Sequence, residues 1–210
     1  MISVRPYRPE DREAISRISC DTALLGQPID SLLNDRTLVA DSLVGYYVEF
    51  EPESTFVAEM DGQVIGYLTG CKDTHRYEQI CARRILPRLL RRFFRRGHLF
   101  HPNGWRLLIA VGKTAARWGR LRRSVVAEHP AHCHINLAAG SRHAGTGSAL
   151  IEVFFNHLRS QKISGIHIIS ATETGKSFFK KAGFELLGCY PSPSLPGVPQ
   201  RDAWIMGKKL

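Results

Sequence analysis

The chain has no apolar run approaching the roughly 20 residues needed to span a bilayer. Its first residues, Met1-Ile2-Ser3-Val4-Arg5-Pro6, lack the apolar stretch and cleavage site of a secretory leader, so none is expected. Its five cysteines, Cys20, Cys71, Cys81, Cys133 and Cys189, are an odd set without a Cys-x-x-Cys pair. That argues against a disulfide framework and points to a reducing, cytoplasmic setting. No internal repeat is visible. Acids are scarce in one place: residues 72 to 128 hold 15 of the 29 Lys and Arg but only Asp73, Glu78 and Glu128. The excess there is larger than the +10 of all 210 residues, so the remainder is slightly acidic and the basicity belongs to one segment.

What is present is the composition of an ordinary soluble globular domain, 43% apolar and 23% charged. Ile2 to Arg5 alternates and is followed by Pro6 and Pro9, an edge-strand pattern. Pro9-Glu10-Asp11 opens a helix with Ala14, Ile15 and Ile18 on one face, and residues 35 to 50 read as a second helix. Two β-rich runs, from Thr55 and from Gln63, flank Asp61-Gly62, a hairpin signal. In the basic segment, Ile85, Leu86, Leu89, Leu90, Phe93 and Phe94 recur at helical steps, with Pro87 near the start of that helix. Asn103 is the expected cap of a second basic helix running through Leu121. From residue 132 onward the pattern is β-α-β-α-β-β: a strand 132 to 137, a Phe-rich helix, a strand from Gly165, a helix 173 to 181 stopped by Gly183, and two strands flanking a loop with Pro191, Pro193, Pro196 and Pro199.

The sharpest local feature is Arg142-His143-Ala144-Gly145-Thr146-Gly147, between the His132–Leu137 strand and the Phe-rich helix. Two glycines permit close ligand approach, and a helix N-terminus presents amides and a favourable dipole to a diphosphate. No Gly-Lys-Ser/Thr follows, which sets a nucleotide-triphosphate loop aside. The hexapeptide resembles the Arg/Gln-x-x-Gly-x-Gly/Ala signature of the GNAT superfamily of acyl-CoA N-acyltransferases. Val4 to Asp11, Phe56 to Gly70, Ser177 to Phe184 and the ending Met206 to Leu210 are similar to that family's segments in the same order. The first 70 residues and Pro130-Ala131-His132 also look like bacterial proteins similar to the acetyltransferase-like domain of O-GlcNAcase.

The resemblance implies one α/β domain over residues 1–210, with a mixed, mostly antiparallel central sheet flanked by helices on both faces. A helical insertion at 72–128 would follow the third strand. It implies acetyl transfer from acetyl-CoA, as co-substrate, to a small-molecule or peptide amine in a ternary complex. Arg142, His143, Ala144, Gly145, Thr146 and Gly147 would hold the diphosphate, pantetheine would run beside Leu137, and a backbone N–H near Asn136 or Leu137 would polarise the thioester. Phe179 stands where the family places a proton-donating Tyr, and Thr172 where an Asn is common. A thiolate with a pKa of about 8.5 can leave without a dedicated acid.

An attacking amine needs a base, and histidine titrates in the working range. His132 and His134 share one strand face and are similar to the His-x-His strand of serotonin N-acetyltransferase. They read as catalytic candidates, as satisfied polar strand positions, or, with His129 and Cys133, as metal ligands, although a second ligand cluster is lacking. The basic segment reads as a cover with solvated arginines, as a surface for an acidic or nucleic-acid partner such as aminoacyl-tRNA, or as a membrane-surface helix pair. A non-catalytic acyl-CoA-binding module is the competing class.

Overall fold

A computed structural model describes residues 2–101, 103–141, 145–192 and 201–210. A seven-stranded sheet runs in the order β1-β2-β3-β4-β5-β7-β6. Its strands are β1 (Ile2–Pro6), β2 (Thr55–Met60), β3 (Gln63–Cys71), β4 (Ala131–Leu137), β5 (Gly165–Ser170), β6 (Glu185–Pro191) and β7 (Asp202–Lys209). Every neighbouring pair is antiparallel except β4 and β5. Strand β1 lies at an edge, where Pro6 is tolerated. Asp61 and Gly62 both take positive φ (51° and 77°) in the two-residue turn joining β2 to β3.

Helices cover both faces. On one, α6 (Thr146–Ser160) buries Leu150, Ile151, Phe154, Phe155 and Leu158 with Leu68, Cys133, Ile166 and Ile168 of the sheet, and α7 (Glu173–Lys181) adds Phe178 and Phe179. Each such side chain contributes about 1.5–3 kcal/mol by leaving water. On the other face, α1 (Arg12–Thr22) and α2 (Arg36–Phe50) pack Ile15, Ile18 and Val44 against Val57 and Tyr67.

Between β3 and β4 the chain forms α3 (Thr74–Ile80), a π-helical stretch Cys81–Ile85, α4 (Leu86–Arg95) and α5 (Gly104–Glu128). The helical run therefore starts eleven residues before the stretch that apolar periodicity picks out. Asp73 caps α3 by accepting from the amides of His75 and Arg76. Pro87 has no N–H to continue an α-helical ladder, and the wider π turn just before it absorbs the break. The expected capping role of Asn103 is not realised: its side chain makes no cap bond, and its φ of −99° and ψ of −7° are helix-like rather than extended.

Helices α2 and α4 are stapled antiparallel by three ion pairs. Arg88 meets Glu49 at 2.9 Å, Arg92 meets Asp41, and Arg96 meets Asp35 at 2.6 Å. The spacing of four residues along α4 puts these three guanidinium groups on one helix face. Asp35 is buried and also accepts from the Leu38 amide and from His98 at 2.8 Å. Burial opposes its ionised form, but these hydrogen bonds prevail and hold its pKa below the usual carboxylate value. Part of the positive charge of this segment is thus structural.

Candidate active site

Strands β4 and β5 pair only at Ala131↔Ile166 and His132↔His167. Beyond His132, β4 follows β3 from Cys71 to Gly66, while β5 follows β7 along its whole length. The two central strands therefore splay, and the edge of β4 from Cys133 to Leu137 faces a gap. Asn136 is turned to the α1 face, where its amide donates to the Tyr67 hydroxyl at 2.9 Å. Leu137 is half-buried and packs at the border of the α6 core.

The helix α6 begins just past this gap. Gly145 precedes it with φ of 78°, a conformation that costs a side-chain-bearing residue about 1–2 kcal/mol. A Cβ at Gly145 would meet nothing within 4 Å, whereas at Gly147 it would come within 3.1 Å of the Phe178 ring. The first glycine is thus required by backbone conformation and the second by packing of α6 on α7. Thr146 is buried at the first position of the helix. Arg142, His143 and Ala144 lie outside the described residues.

The histidines separate clearly. His132 is buried, with Nδ1 at 2.7 Å from Thr74 Oγ1 and Nε2 at 2.9 Å from the Tyr47 hydroxyl. The Thr74 hydroxyl gives its single proton to the Pro130 carbonyl at 2.7 Å, so its oxygen accepts from Nδ1–H. That assigns His132 to the neutral Nδ1–H tautomer, with Tyr47 donating to Nε2. Burial, followed by the neighbouring His134 and His167, drives its pKa well below 6.5. Tyr77 closes the cage, its ring centroid 4.6 Å from that of His132.

His134, on the same strand face, is open to solvent and has no hydrogen-bond partner among the described residues. Protein crowding on its remaining sides lowers its pKa from 6.5. Its ring lies 5.8 Å from that of Tyr47 and 6.1 Å from that of His132. His167 of β5 completes the row, its Nδ1 donating to the His129 carbonyl at 2.7 Å, with burial pushing its pKa down to about 4. Cys133 points to the opposite, α6 side. Among the described residues no group of three or more His, Cys, Asp or Glu is arranged to hold a metal ion.

Two residues singled out from the sequence are engaged in the scaffold. Thr172 caps α7, its hydroxyl accepting from the Gly175 amide at 3.0 Å. Phe179 is buried between Phe178 and Phe184, with ring centroids at 5.0 and 5.2 Å. Sequence reasoning missed Tyr47, Thr74 and Tyr77. They lie on α2 and α3, far from β4 in sequence; Tyr47 read only as an apolar helix position, and no helix was read over Thr74 and Tyr77.

No family model matches the chain. The solved structure of SsHAT is 27% identical, with a TM-score of 0.76 over 99% of this chain and 98% of that one. The polyamine N-acetyltransferase of Drosophila melanogaster, which forms N-acetylagmatine, is 13% identical with a TM-score of 0.69, covering both chains fully. The yncA protein of Salmonella typhimurium, whose structure was determined with acetyl-CoA, is 16% identical with a TM-score of 0.59 over 100% of this chain and 94% of that one. With the splayed fourth and fifth strands, the glycine turn at the following helix and these likenesses along nearly the whole chain, this protein has the fold of the GNAT superfamily of acyl-CoA N-acyltransferases.

Proposed function

We propose that the chain moves an acetyl group from acetyl-CoA to an amine by direct attack in a ternary complex, with His134 as the base. One observation carries this reading: pairing of β4 with β5 stops at His132, and the next residue on that face is an accessible histidine with no hydrogen-bond partner among the described residues. Acetyl-CoA supplies a thioester carbonyl already activated for attack. The N-terminus of α6 from Gly145 to Gly147, with Arg142 to Ala144, would seat its diphosphate on main-chain amides. Leu137 would line the gap, and backbone N–H groups near Asn136 and Leu137 would face the carbonyl oxygen.

His134 is kept neutral at pH 7 by its lowered pKa, so it can take the proton of an attacking ammonium. His132, with both nitrogens engaged, does not share that task. It positions Tyr47, which packs against His134. Phe179 has no proton to give the leaving thiolate, which departs unassisted or protonated by water or by a hydroxyl, that of Ser177 or of Thr172, whose bond from the Gly175 amide leaves its own proton free.

Asp35, Asp41 and Glu49 are held by arginines, and Glu51 is bonded by Tyr46, Ser54 and the Lys72 amide. These acids are therefore engaged within the fold, and the acceptor is a small-molecule or peptide amine. The five free thiols accord with a cytoplasmic setting.

A second reading, an acyl-CoA-binding module without turnover, draws on the aromatic packing of Phe179. Calorimetry with acetyl-CoA, followed by thiol release with phenethylamine, spermidine and a peptide N-terminus, separates the two. Binding with release supports transfer. Binding with no release across the panel leaves the module, and no binding at millimolar ligand removes both.

A further inference from the structure

The corner where α4 turns into α5 is apolar and exposed. Phe100 is 93% exposed, Phe94 52%, Trp105 50%, Ile109 48% and Leu99 42%. The corner is compact: Gly97 reverses the chain with φ of 70°, and Gly104 sits against His98 and the Phe93 ring. Phe93 itself is buried among Ile29, Leu32, Leu33 and Leu38, which anchors the corner on the fold and leaves Phe94 pointing away. Side chains this apolar are kept out of water in most proteins, and a group of them marks a contact surface.

Basic groups surround the same corner. Arg91 and Arg95, four residues apart on one face of α4, flank Phe94 in sequence, and neither has an acid partner among the described residues, unlike Arg88, Arg92 and Arg96. Together these five arginines line an open groove of about 440 Å³. The Arg106 guanidinium lies 5.3 Å from the centre of the Trp105 ring. No acid occurs in the sequence between Glu78 and Glu128.

We infer that this corner docks on an anionic lipid bilayer, with Leu99, Phe100, Trp105 and Ile109 entering the interface and Arg91 and Arg95 meeting headgroup phosphates. Charge complementarity selects an anionic partner. The aliphatic share of the apolar set, Leu99 and Ile109, favours lipid over nucleic acid, because bases stack on rings and gain little from branched alkyl groups. The contact is interfacial, since no helix among the described residues is long and apolar enough to cross a membrane. The inference is independent of acetyl transfer, because none of these residues is among those proposed to hold acetyl-CoA or to take the proton of the amine.

The test is co-sedimentation of the full chain with phosphatidylcholine vesicles, with and without phosphatidylglycerol. Binding only to the anionic vesicles, weakened by salt, is expected. Arg91→Glu with Arg95→Glu, and separately Leu99→Ser with Phe100→Ser, should each lower the bound fraction by roughly tenfold. Both variants should keep the wild-type circular dichroism and acetyl-CoA affinity. As a check that needs no folded variant beyond a conservative one, tryptophan emission of the wild type should shift to the blue on anionic vesicles, and Trp105→Phe should lose that shift. Equal binding to neutral vesicles, absence of binding, or retention on single-stranded RNA instead of vesicles would each overturn the inference.

Discussion

The Tyr47 hydroxyl donates to Nε2 of His132 across 2.9 Å, between two side chains that are both buried. The bond ties α2 to the central strand, and Thr74 at the start of α3 completes it from the other side of the imidazole. Tyr47→Phe leaves Nε2 as a buried acceptor without a donor, and Thr74→Val leaves Nδ1–H without an acceptor. Each should cost about 1–3 kcal/mol of unfolding free energy. Urea melts measure this, and Thr74→Ser should restore most of the loss because the hydroxyl returns.

His134→Ala removes the proposed base while leaving the α6 turn intact. A fall in kcat of roughly 10²–10⁴-fold is expected, with the calorimetric affinity for acetyl-CoA unchanged. In the wild type the acid limb of kcat/KM should lie below pH 6.5, because crowding lowers the pKa of His134. An unaltered kcat in the alanine variant would take this histidine out of the mechanism.

His167 gives stability a pH dependence of predictable sign. Its pKa is about 4 in the folded chain against 6.5 when free, so between these values the unfolded chain binds the extra proton. Stability should therefore fall as pH drops from 6.5 toward 4, by on the order of 3 kcal/mol from this group. Urea midpoints across that range give the slope, and His167→Gln should flatten it.

Asp35 works in the next window down. Its pKa is depressed below 3.8, so its contribution is fully present above that value and is lost as pH falls through the folded-state pKa. Asp35→Ala also removes the α2 cap and leaves Arg96 and His98 without their acceptor. A loss of about 1–3 kcal/mol at pH 7 is expected from the cap and the charged hydrogen bonds.

The two glycines of the turn should fail differently. Gly145→Ala strains a backbone at φ of 78°, and Gly147→Ala pushes a methyl toward Phe178. The first should weaken acetyl-CoA binding with a loss of about 1–2 kcal/mol in stability. The second should lower the melting temperature further in the wild type than in a Phe178→Leu background, where the ring has gone.

Much of the fold was legible before any coordinates. The Asp61-Gly62 hairpin, the capped α2, the Phe-rich α6 and the α7 stopped by Gly183 each carry a local signal, in turn chemistry or apolar spacing, that tertiary contacts did not override. The onset of the basic helices was less legible. Residues 74 to 84 lack a clean apolar stripe, and only packing of Tyr77 and Ile85 beside Tyr46 and Tyr47 draws them into the helix. For the site, the glycine turn and the His-x-His strand were readable as residue types, but their division of labour was not.

Residue order alone determined the strands and the helices other than α3, the face shared by His132 and His134, and the charge asymmetry of residues 72 to 128, because each depends on neighbours a few positions apart. Tertiary structure alone decided that His132 is caged by Thr74 and Tyr47 while His134 stays open, and that Arg88, Arg92 and Arg96 are bound to α2 while Arg91 and Arg95 are not. The physical reason is the same in both cases. Burial and pairing are properties of groups brought together from distant parts of the chain, and these set whether an imidazole or a guanidinium is engaged in the structure or available to a ligand.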